Sequence, residues 1–185
     1  MEVIYTIGHG NKTIEDFILE LHSFDIQYLI DIRSKPYSKF YPDFSQHALK
    51  AFVERAHIQY VFMGNELGGL PVHDLSCFTW DGKVDYDKLK EKGFFREGLH
   101  RLMNASSKGY KICIMCSEKD PTECHRSKVI GEALKEMGAI VHHITDISKY
   151  KTQNHVINDL TKGLGRINLF GETESLTSKK AYLEV

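Results

Sequence analysis

The chain has 185 residues, enough for one domain with a substantial core, and its 24 Lys and Arg residues nearly balance its 25 Asp and Glu residues. This near neutrality argues against a protein that coats nucleic acid with a strongly basic surface, although local recognition of a nucleotide or short strand stays open. The N-terminus lacks a basic segment followed by a long apolar stretch, and no apolar run approaches the roughly 20 residues that span a bilayer. We therefore expect a cytoplasmic protein with no membrane contact, and four reduced cysteines.

Apolar segments alternate with helical patterns along the chain. Thr13 and Asp16 resemble a capping box that opens the first helix, and Ser45 is predicted to cap the second. Residues 63–82 contain glycines and a proline but little periodicity, which is typical of a long loop or lid. The apolar stripes of the helices fall within residues 14–21, 48–53, 94–103 and 128–137. The predicted strands are residues 3–7, 28–32, 59–62, 112–115 and 140–144.

The regular alternation predicts an α/β fold with three layers, in which a mainly parallel central sheet is flanked by helices. A rhodanese-like or Rossmann-like arrangement fits this pattern. After Tyr150 the periodicity weakens and the chain becomes polar. We therefore divide the sequence into an α/β domain at residues 1–150 and a partly flexible C-terminal extension at residues 151–185.

Polar residues gather where the predicted strands end. In a parallel sheet the binding crevice lies beyond the carboxyl ends of the strands, so five strand ends would line one pocket. Each residue outside the loop that begins at Cys116 is, taken alone, equally consistent with ordinary turn chemistry, since Asn and Asp are common in turns. The residues concerned are His9, Asn11, Asp31, Arg33, Asn65, Glu66, Cys116, Glu118, Thr145 and Asp146.

Residues 111–127 carry most of the chemistry, because a buried strand runs there into a loop that contains two cysteines. Cys116 ends the strand, and the loop brings Cys124, His125 and Arg126 to the start of a helix, a place that favours anions and thiolates. Cys116 is the expected nucleophile, with Glu118 or His125 as general acid or base. Cys124 is the alternative nucleophile, or it resolves a disulfide or persulfide formed on Cys116. The competing interpretation is a small buried thiol in a loop that the polar residues merely stabilise.

Several motifs in this order are similar to those of the domain of unknown function 488 family over residues 3 to 147. They are Thr6-Ile7-Gly8-His9-Gly10-Asn11, Asp31-Ile32-Arg33, Glu66-Leu67-Gly68-Gly69, Met115-Cys116-Ser117-Glu118-Lys119-Asp120 and Cys124-His125-Arg126-Ser127. The first motif of the family usually reads Gly-His-Ser-Asn, so Gly10 departs from it and supplies no hydroxyl. The resemblance implies little established activity.

A more distant likeness is to the rhodanese superfamily. Residues 29–33 resemble its Leu-Ile-Asp-Val-Arg strand, and Cys116 with Arg126 and Ser127 resembles its catalytic cysteine loop. The loop here is several residues longer and includes Cys124 and His125. The likeness implies a catalytic cysteine, whereas sulfurtransferase or phosphatase activity does not transfer directly.

The same loop also suggests a metal site. Zinc or iron would accept Cys116, Glu118, Cys124 and His125 as ligands. Cys113 is excluded, because residues three apart on a strand point to opposite faces, and we assign it to the core. Adjacent Cys124 and His125 are an unusual ligand pair, so we predict no resident cofactor and keep zinc or iron as the alternative.

The C-terminal extension suggests a partner. Residues 166–170 resemble the short Gln-Leu-x-Leu-Phe peptides that dock on the bacterial sliding clamp, with Ile167, Leu169 and Phe170 as the contacts and Arg166 where glutamine is expected. A tail that packs back on the domain is the other interpretation. Clamp docking would make the protein a binding module associated with nucleic-acid repair.

These observations predict a thiol-dependent transferase or hydrolase that acts on a small anionic or nucleotide-like substrate at the carboxyl ends of the strands. The predicted catalytic residues are Cys116, Glu118, Cys124 and His125. The predicted substrate contacts are His9, Asn11, Arg33, Glu66 and Arg126, of which the two arginines would bind an oxyanion.

Overall fold

A computed structural model describes residues 3–166 and 175–183, and within them one mixed sheet runs through the molecule. Its order is β3-β2-β4-β1-β5-β6, and all neighbours are parallel except the β5–β6 pair. All five predicted strands are confirmed, while the antiparallel edge strand β6 was not foreseen because it is polar and exposed. The strands are β1 Val3–Gly8, β2 Tyr28–Asp31, β3 Gln59–Phe62, β4 Ile112–Cys116, β5 Ile140–Asp146 and β6 Lys149–Thr152.

Helices cover both faces of the sheet, which confirms the predicted three-layer α/β fold. One apolar cluster joins the sheet to α1 and α2, and the other joins it to α3, α4, α5 and the helical segments after residue 126. The helices are α1 Ile14–His22, α2 Gln46–Arg55, α3 Gly64–Leu67, α4 Tyr86–Lys90, α5 Gly93–Ser107, a π-helix Arg126–Gly131 that continues into α6 Glu132–Glu136, and α7 Gln153–Leu160. None of the described helices is long and apolar enough to cross a bilayer.

Strand β4 lies in the middle of the sheet, between β2 and β1. In the Rossmann order β1 pairs directly with β2, whereas here β4, the strand that carries Cys113 and Cys116, is inserted between them. Cys113 packs with the α1–α2 cluster and Cys116 with the opposite one, which confirms that these two side chains point to different faces. Consequently only Cys116 stands at the carboxyl end of the central strand.

The starts of α1 and α2 agree only in part with the predicted caps. The Thr13 hydroxyl accepts a hydrogen bond from the Asp16 amide at 3.1 Å, as expected for a cap. Ser45 stands at the N-cap position of α2 as predicted, but its hydroxyl makes no cap bond and instead accepts from the Ser38 amide at 3.2 Å. The segment at residues 63–82 is also not entirely loop, since it begins with the single turn of α3.

The C-terminal residues return to the domain. The boundary predicted at residue 150 falls inside β6, and α7 then packs on the sheet with Val156 fully buried. Farther on, the Ser178 amide donates to the Val84 carbonyl at 3.0 Å, and the Ser178 hydroxyl accepts from the Val84 amide at 2.9 Å. The predicted clamp contacts Ile167, Leu169 and Phe170 lie outside the described residues.

Candidate active site

An open pocket of about 460 Å³ lies beyond the carboxyl ends of β2 and β4. Cys116 ends β4 at its floor, and Arg33 follows β2 at its side. The location agrees with the rule for parallel sheets. The residues that line it are Arg33, Ser34, Lys35, Gly69, Leu70, Tyr86, Cys116, Ser117, Glu118, Glu123, His125, Ser178, Lys179, Lys180 and Tyr182.

The structure brings all four predicted catalytic residues together. Cys116 Sγ lies 3.0 Å from Glu118 Oε2, and the Nδ1 atom of His125 lies 3.7 Å from Cys116 Sγ and 3.8 Å from Cys124 Sγ. The two sulfur atoms and an imidazole nitrogen all fall within 4.8 Å of one another. Of the two cysteines, Cys116 lines the pocket whereas Cys124 lies behind it.

Arg126 holds the cysteine loop in shape. Its side chain is completely buried, with Nη1 donating to the Glu118 carbonyl and Nη2 donating to the Lys119 carbonyl at 2.9 Å. The Ser127 hydroxyl adds a bond to the Cys124 carbonyl at 3.1 Å. Arg126 does not line the pocket. We therefore interpret it as a positioning residue for the loop, and not as the anion contact that the sequence suggested.

Two glycines let the backbone approach this loop closely. A Cβ on Gly8, at the end of β1, would overlap the Glu118 carbonyl oxygen and lie 2.6 Å from Arg126 Nη1. A Cβ on Gly69 would lie 2.7 Å from Cγ of His125. These contacts explain a glycine in the first and third sequence motifs, since any larger residue would displace the loop or the imidazole.

The two loop thiols have opposite electrostatic behaviour. Burial opposes ionisation of Cys124, but the Cys116 thiol and the positive charge of Arg126 stabilise its thiolate, so the pKa of Cys124 lies well below the usual value. The amide of Arg126 also donates to Cys124 Sγ at 3.4 Å. The hydrogen bond to Cys124, burial and the neighbouring charge of Glu118 raise the pKa of Cys116. The two thiols therefore titrate as a coupled pair, in which the surroundings favour ionisation of Cys124 over ionisation of Cys116.

His125 completes the charge pattern. Burial alone would lower the pKa of His125, but the Cys124 thiolate and the Glu118 carboxylate outweigh it, and the pKa is raised. Its Nε2 atom is buried and has no hydrogen-bond partner among residues 3–166 and 175–183. The surroundings of His125 thus favour its protonated form, which would balance negative charge inside the cluster.

Arg33 lines the pocket, but its guanidinium is already engaged. Nε and Nη2 donate to the two carboxylate oxygens of Asp31 at 2.9 and 2.6 Å, and Nη1 donates to the Phe44 carbonyl at 2.7 Å. The Tyr60 hydroxyl donates to the same carboxylate at 2.7 Å. These bonds use three of the five N–H groups of Arg33 and hold its guanidinium against Asp31, so the oxyanion contact predicted from sequence is restricted to the two remaining N–H groups on Nη1 and Nη2.

Three other predicted substrate contacts do not line the pocket. His9 stacks on Phe44 with ring centroids 4.4 Å apart, and burial together with the charge of Arg33 lowers the pKa of His9 to about 4. Asn11 is exposed at the turn after β1. Glu66 forms a 2.5 Å ion pair with Arg101 on α5.

Sequence reasoning missed four other residues of the pocket lining. Lys35, Tyr86, Lys180 and Tyr182 all line it, and the last two come from the C-terminal residues. The tail reaches the pocket because its backbone pairs with residues 82–86. No local pattern in the sequence predicts a pairing between residues so far apart in the chain.

The family model described as Domain of unknown function DUF488 matches residues 13–134. The chain belongs to this family. The match includes the whole cysteine loop, whereas the C-terminal wall of the pocket lies beyond it. Neither the curated proteins nor the solved structures provided a match. The rhodanese likeness therefore stays a prediction that rests on the motifs alone.

Proposed function

We propose that this DUF488 protein is a thiol-dependent transferase or hydrolase that acts on a small anionic substrate, with Cys116 as the nucleophile. One observation carries the proposal: Cys116 is the loop cysteine that faces the pocket, and a carboxylate stands 3.0 Å from its sulfur. A nucleophile and a base within hydrogen-bond reach are the signature of covalent catalysis. The raised pKa of Cys116 fits a thiol that is activated only when it reacts.

Glu118 serves as the base in this proposal. Cys116 Sγ attacks the electrophilic centre of the substrate, a bond forms from the sulfur electron pair, and the thiol proton passes to Glu118 Oε2. The leaving group departs with the electron pair of its broken bond and takes that proton. Water, or an acceptor hydroxyl or thiol, then attacks the same centre and gives its proton to Glu118, and the sulfur leaves with its electron pair and recovers the proton.

In this proposal lysines bind the anionic group of the substrate. Arg126 does not line the pocket, and Arg33 already donates hydrogen bonds to Asp31 and Phe44. Lys35 and Lys180 are exposed at the pocket, and the Tyr182 hydroxyl adds a neutral donor. Burial together with the neighbouring Glu118 raises the pKa of Tyr182, which keeps its proton available for donation. These groups favour a small phosphate-like or sulfur oxyanion, or the phosphate of a nucleotide.

The direct test is alkylation of the native protein with iodoacetamide, with each cysteine followed by peptide mass spectrometry. We expect Cys116 to react faster than the core thiol Cys113 and to be protected by inorganic phosphate or sulfate. Cys113→Ser serves as the matched control and should leave both the alkylation rate of Cys116 and its protection by the anion unchanged. A Cys116 that reacts no faster than Cys113 would overturn the proposal.

A metal centre is a second candidate function. The clustering of two sulfur atoms and one imidazole nitrogen within 4.8 Å favours it, since zinc takes such ligands in tetrahedral sites. Glu118, the fourth ligand predicted from sequence, lies 3.0 Å from Cys116 Sγ but is not among the atoms that cluster within 4.8 Å. Metal analysis of the purified protein, together with alkylation before and after a chelator, separates the candidates. Thiols that become reactive only after chelation would replace the nucleophilic mechanism with a metal site.

A further inference from the structure

We propose that residues 35–41 form a binding platform for single-stranded nucleic acid at the edge of the pocket. This aromatic loop contains three aromatic rings within five residues, and Tyr37 and Phe40 are 74% and 83% exposed. Single exposed aromatics are ordinary on protein surfaces, but such a cluster calls for a ligand. The inference goes beyond the proposed cysteine chemistry and does not rest on it.

Hydrogen bonds hold the aromatic loop in shape while its rings remain outside. The Tyr41 amide donates to the Ser38 hydroxyl at 3.1 Å, and the Gln46 amide donates to the Pro36 carbonyl at 2.8 Å. Just beyond the loop, the Phe44 carbonyl is held by Arg33. The rings are therefore presented by an organised backbone, which lowers the entropy lost when a ligand stacks on them.

The charge of the aromatic loop points to a polyanion. Lys35 and Lys39 are both exposed, and no acidic residue lies between Asp31 and Asp43. Aromatic rings interleaved with cations are the combination that binds single strands, since the rings stack on bases while the lysines meet phosphates. A protein partner with an apolar contact surface would gain nothing from two desolvated lysines.

The aromatic loop is continuous with the pocket. Lys35 belongs to both, and Lys180 extends the positive charge across the pocket to the C-terminal wall. Stacking requires an unpaired base, so a duplex would not use the rings. Because the whole chain carries a net charge of only −1, we expect weak, local and salt-sensitive binding.

Fluorescence anisotropy of a short labelled oligothymidine, measured with the full-length protein, tests the proposal. We expect Tyr37→Ala and Phe40→Ala each to weaken binding about tenfold, and Lys39→Ala to reduce the salt dependence by about one counterion. Trp80→Ala is the matched control, because Trp80 is 87% exposed but lies outside the aromatic loop. Cys116→Ser should bind like the wild type.

Three results would overturn the proposal. The first is an absence of binding, or binding that Tyr37→Ala and Phe40→Ala leave unchanged. The second is equal competition by unlabelled single-stranded and duplex DNA. The third is a dimer, seen by sedimentation, that Phe40→Ala dissociates, because a second copy of the chain would then be the occupant of the loop. Circular dichroism of each variant ensures that lost binding is not lost folding.

Discussion

At the scale of single residues, His143 is part of a buried hydrogen-bond network that supports the cysteine loop. Its Nδ1 atom lies 2.7 Å from the Thr6 hydroxyl, and its Nε2 atom lies 2.7 Å from Gln153 Oε1. The Gln153 amide then donates to the Ser127 carbonyl at 2.9 Å, directly after the cysteine loop. Burial, with the charge of Arg126, lowers the pKa of His143 to about 3.

This lowered pKa predicts a pH-dependent stability. Between pH 6.5 and 3 the unfolded chain protonates the histidine while the folded chain does not, so its contribution is complete above about pH 6.5 and is lost as the pH falls. Between pH 7 and 5 we expect the free energy of unfolding to fall more steeply for the wild type than for His143→Gln, by up to about 1.4 kcal/mol per pH unit. Urea unfolding at several pH values measures both slopes, and parallel curves would contradict the prediction. His9 remains in both proteins, so its own titration cancels.

Single residues also show which parts of the site a sequence can predict. Cys116, Glu118, Cys124 and His125 lie within ten consecutive residues, so their proximity can be predicted from the short loop that carries them. The hydrogen-bond partners of Arg33 could not be predicted in the same way. A guanidinium is bound by whichever acceptors the fold places nearest, and here the Asp31 carboxylate and a backbone carbonyl occupy it.

At the scale of elements, the end of β1 and the cysteine loop are built as one unit. The His9 amide donates to the Cys116 carbonyl at 3.2 Å, and the Gly10 amide donates to the Ser117 carbonyl at 2.9 Å. Gly8 lies against the same loop without room for a side chain. The geometry around Cys116 therefore depends on the tight packing of β1 as well as on the loop itself.

Gly8→Ala should accordingly disrupt the site. The added methyl group must displace the Glu118 carbonyl, and we expect a loss of about 1–3 kcal/mol in the free energy of unfolding, as for other overpacked cores. Cys124 should also become more accessible to iodoacetamide. Gly93→Ala is the control, because a methyl group there meets no atom within 4 Å. If urea denaturation and alkylation cannot distinguish the two variants, the proposed coupling between β1 and the loop is wrong.

The hydrophobic periodicity of the sequence predicts those helices and strands that bury an apolar face. The five parallel strands are apolar runs, and α1 and α5 have clear buried faces, so sequence reasoning found them. It missed β6, which is stabilised only by pairing with β5, and the π-helix at Arg126–Gly131. In the π-helix Gly131 lets Gln153 approach, a tertiary contact that no local pattern contains.

At the scale of the whole molecule, the C-terminal residues turn an open crevice into a pocket. They pair with residues 82–86 and place Ser178, Lys179, Lys180 and Tyr182 opposite the cysteine loop. An ion pair of 2.7 Å between Lys179 and Glu123 joins the tail to that loop. The fully buried residues of both apolar clusters come from residues 4–144, while Leu176 of the tail is partly buried against one of them, so we expect the fold to persist without the tail.

A chain that ends at residue 174 should therefore fold but expose its nucleophile. We expect Cys116 to react several-fold faster with neutral iodoacetamide in the truncated chain, since four residues of the pocket wall are gone. Lys180→Ala is the matched point variant, because it removes one charge without opening the wall. It should leave the iodoacetamide rate unchanged and slow anionic iodoacetate about threefold, the scale of one exposed charge. Equal iodoacetamide rates in the truncated and complete chains would mean that the tail does not cover Cys116. An unchanged iodoacetate rate in Lys180→Ala would mean that this lysine takes no part in anion recognition.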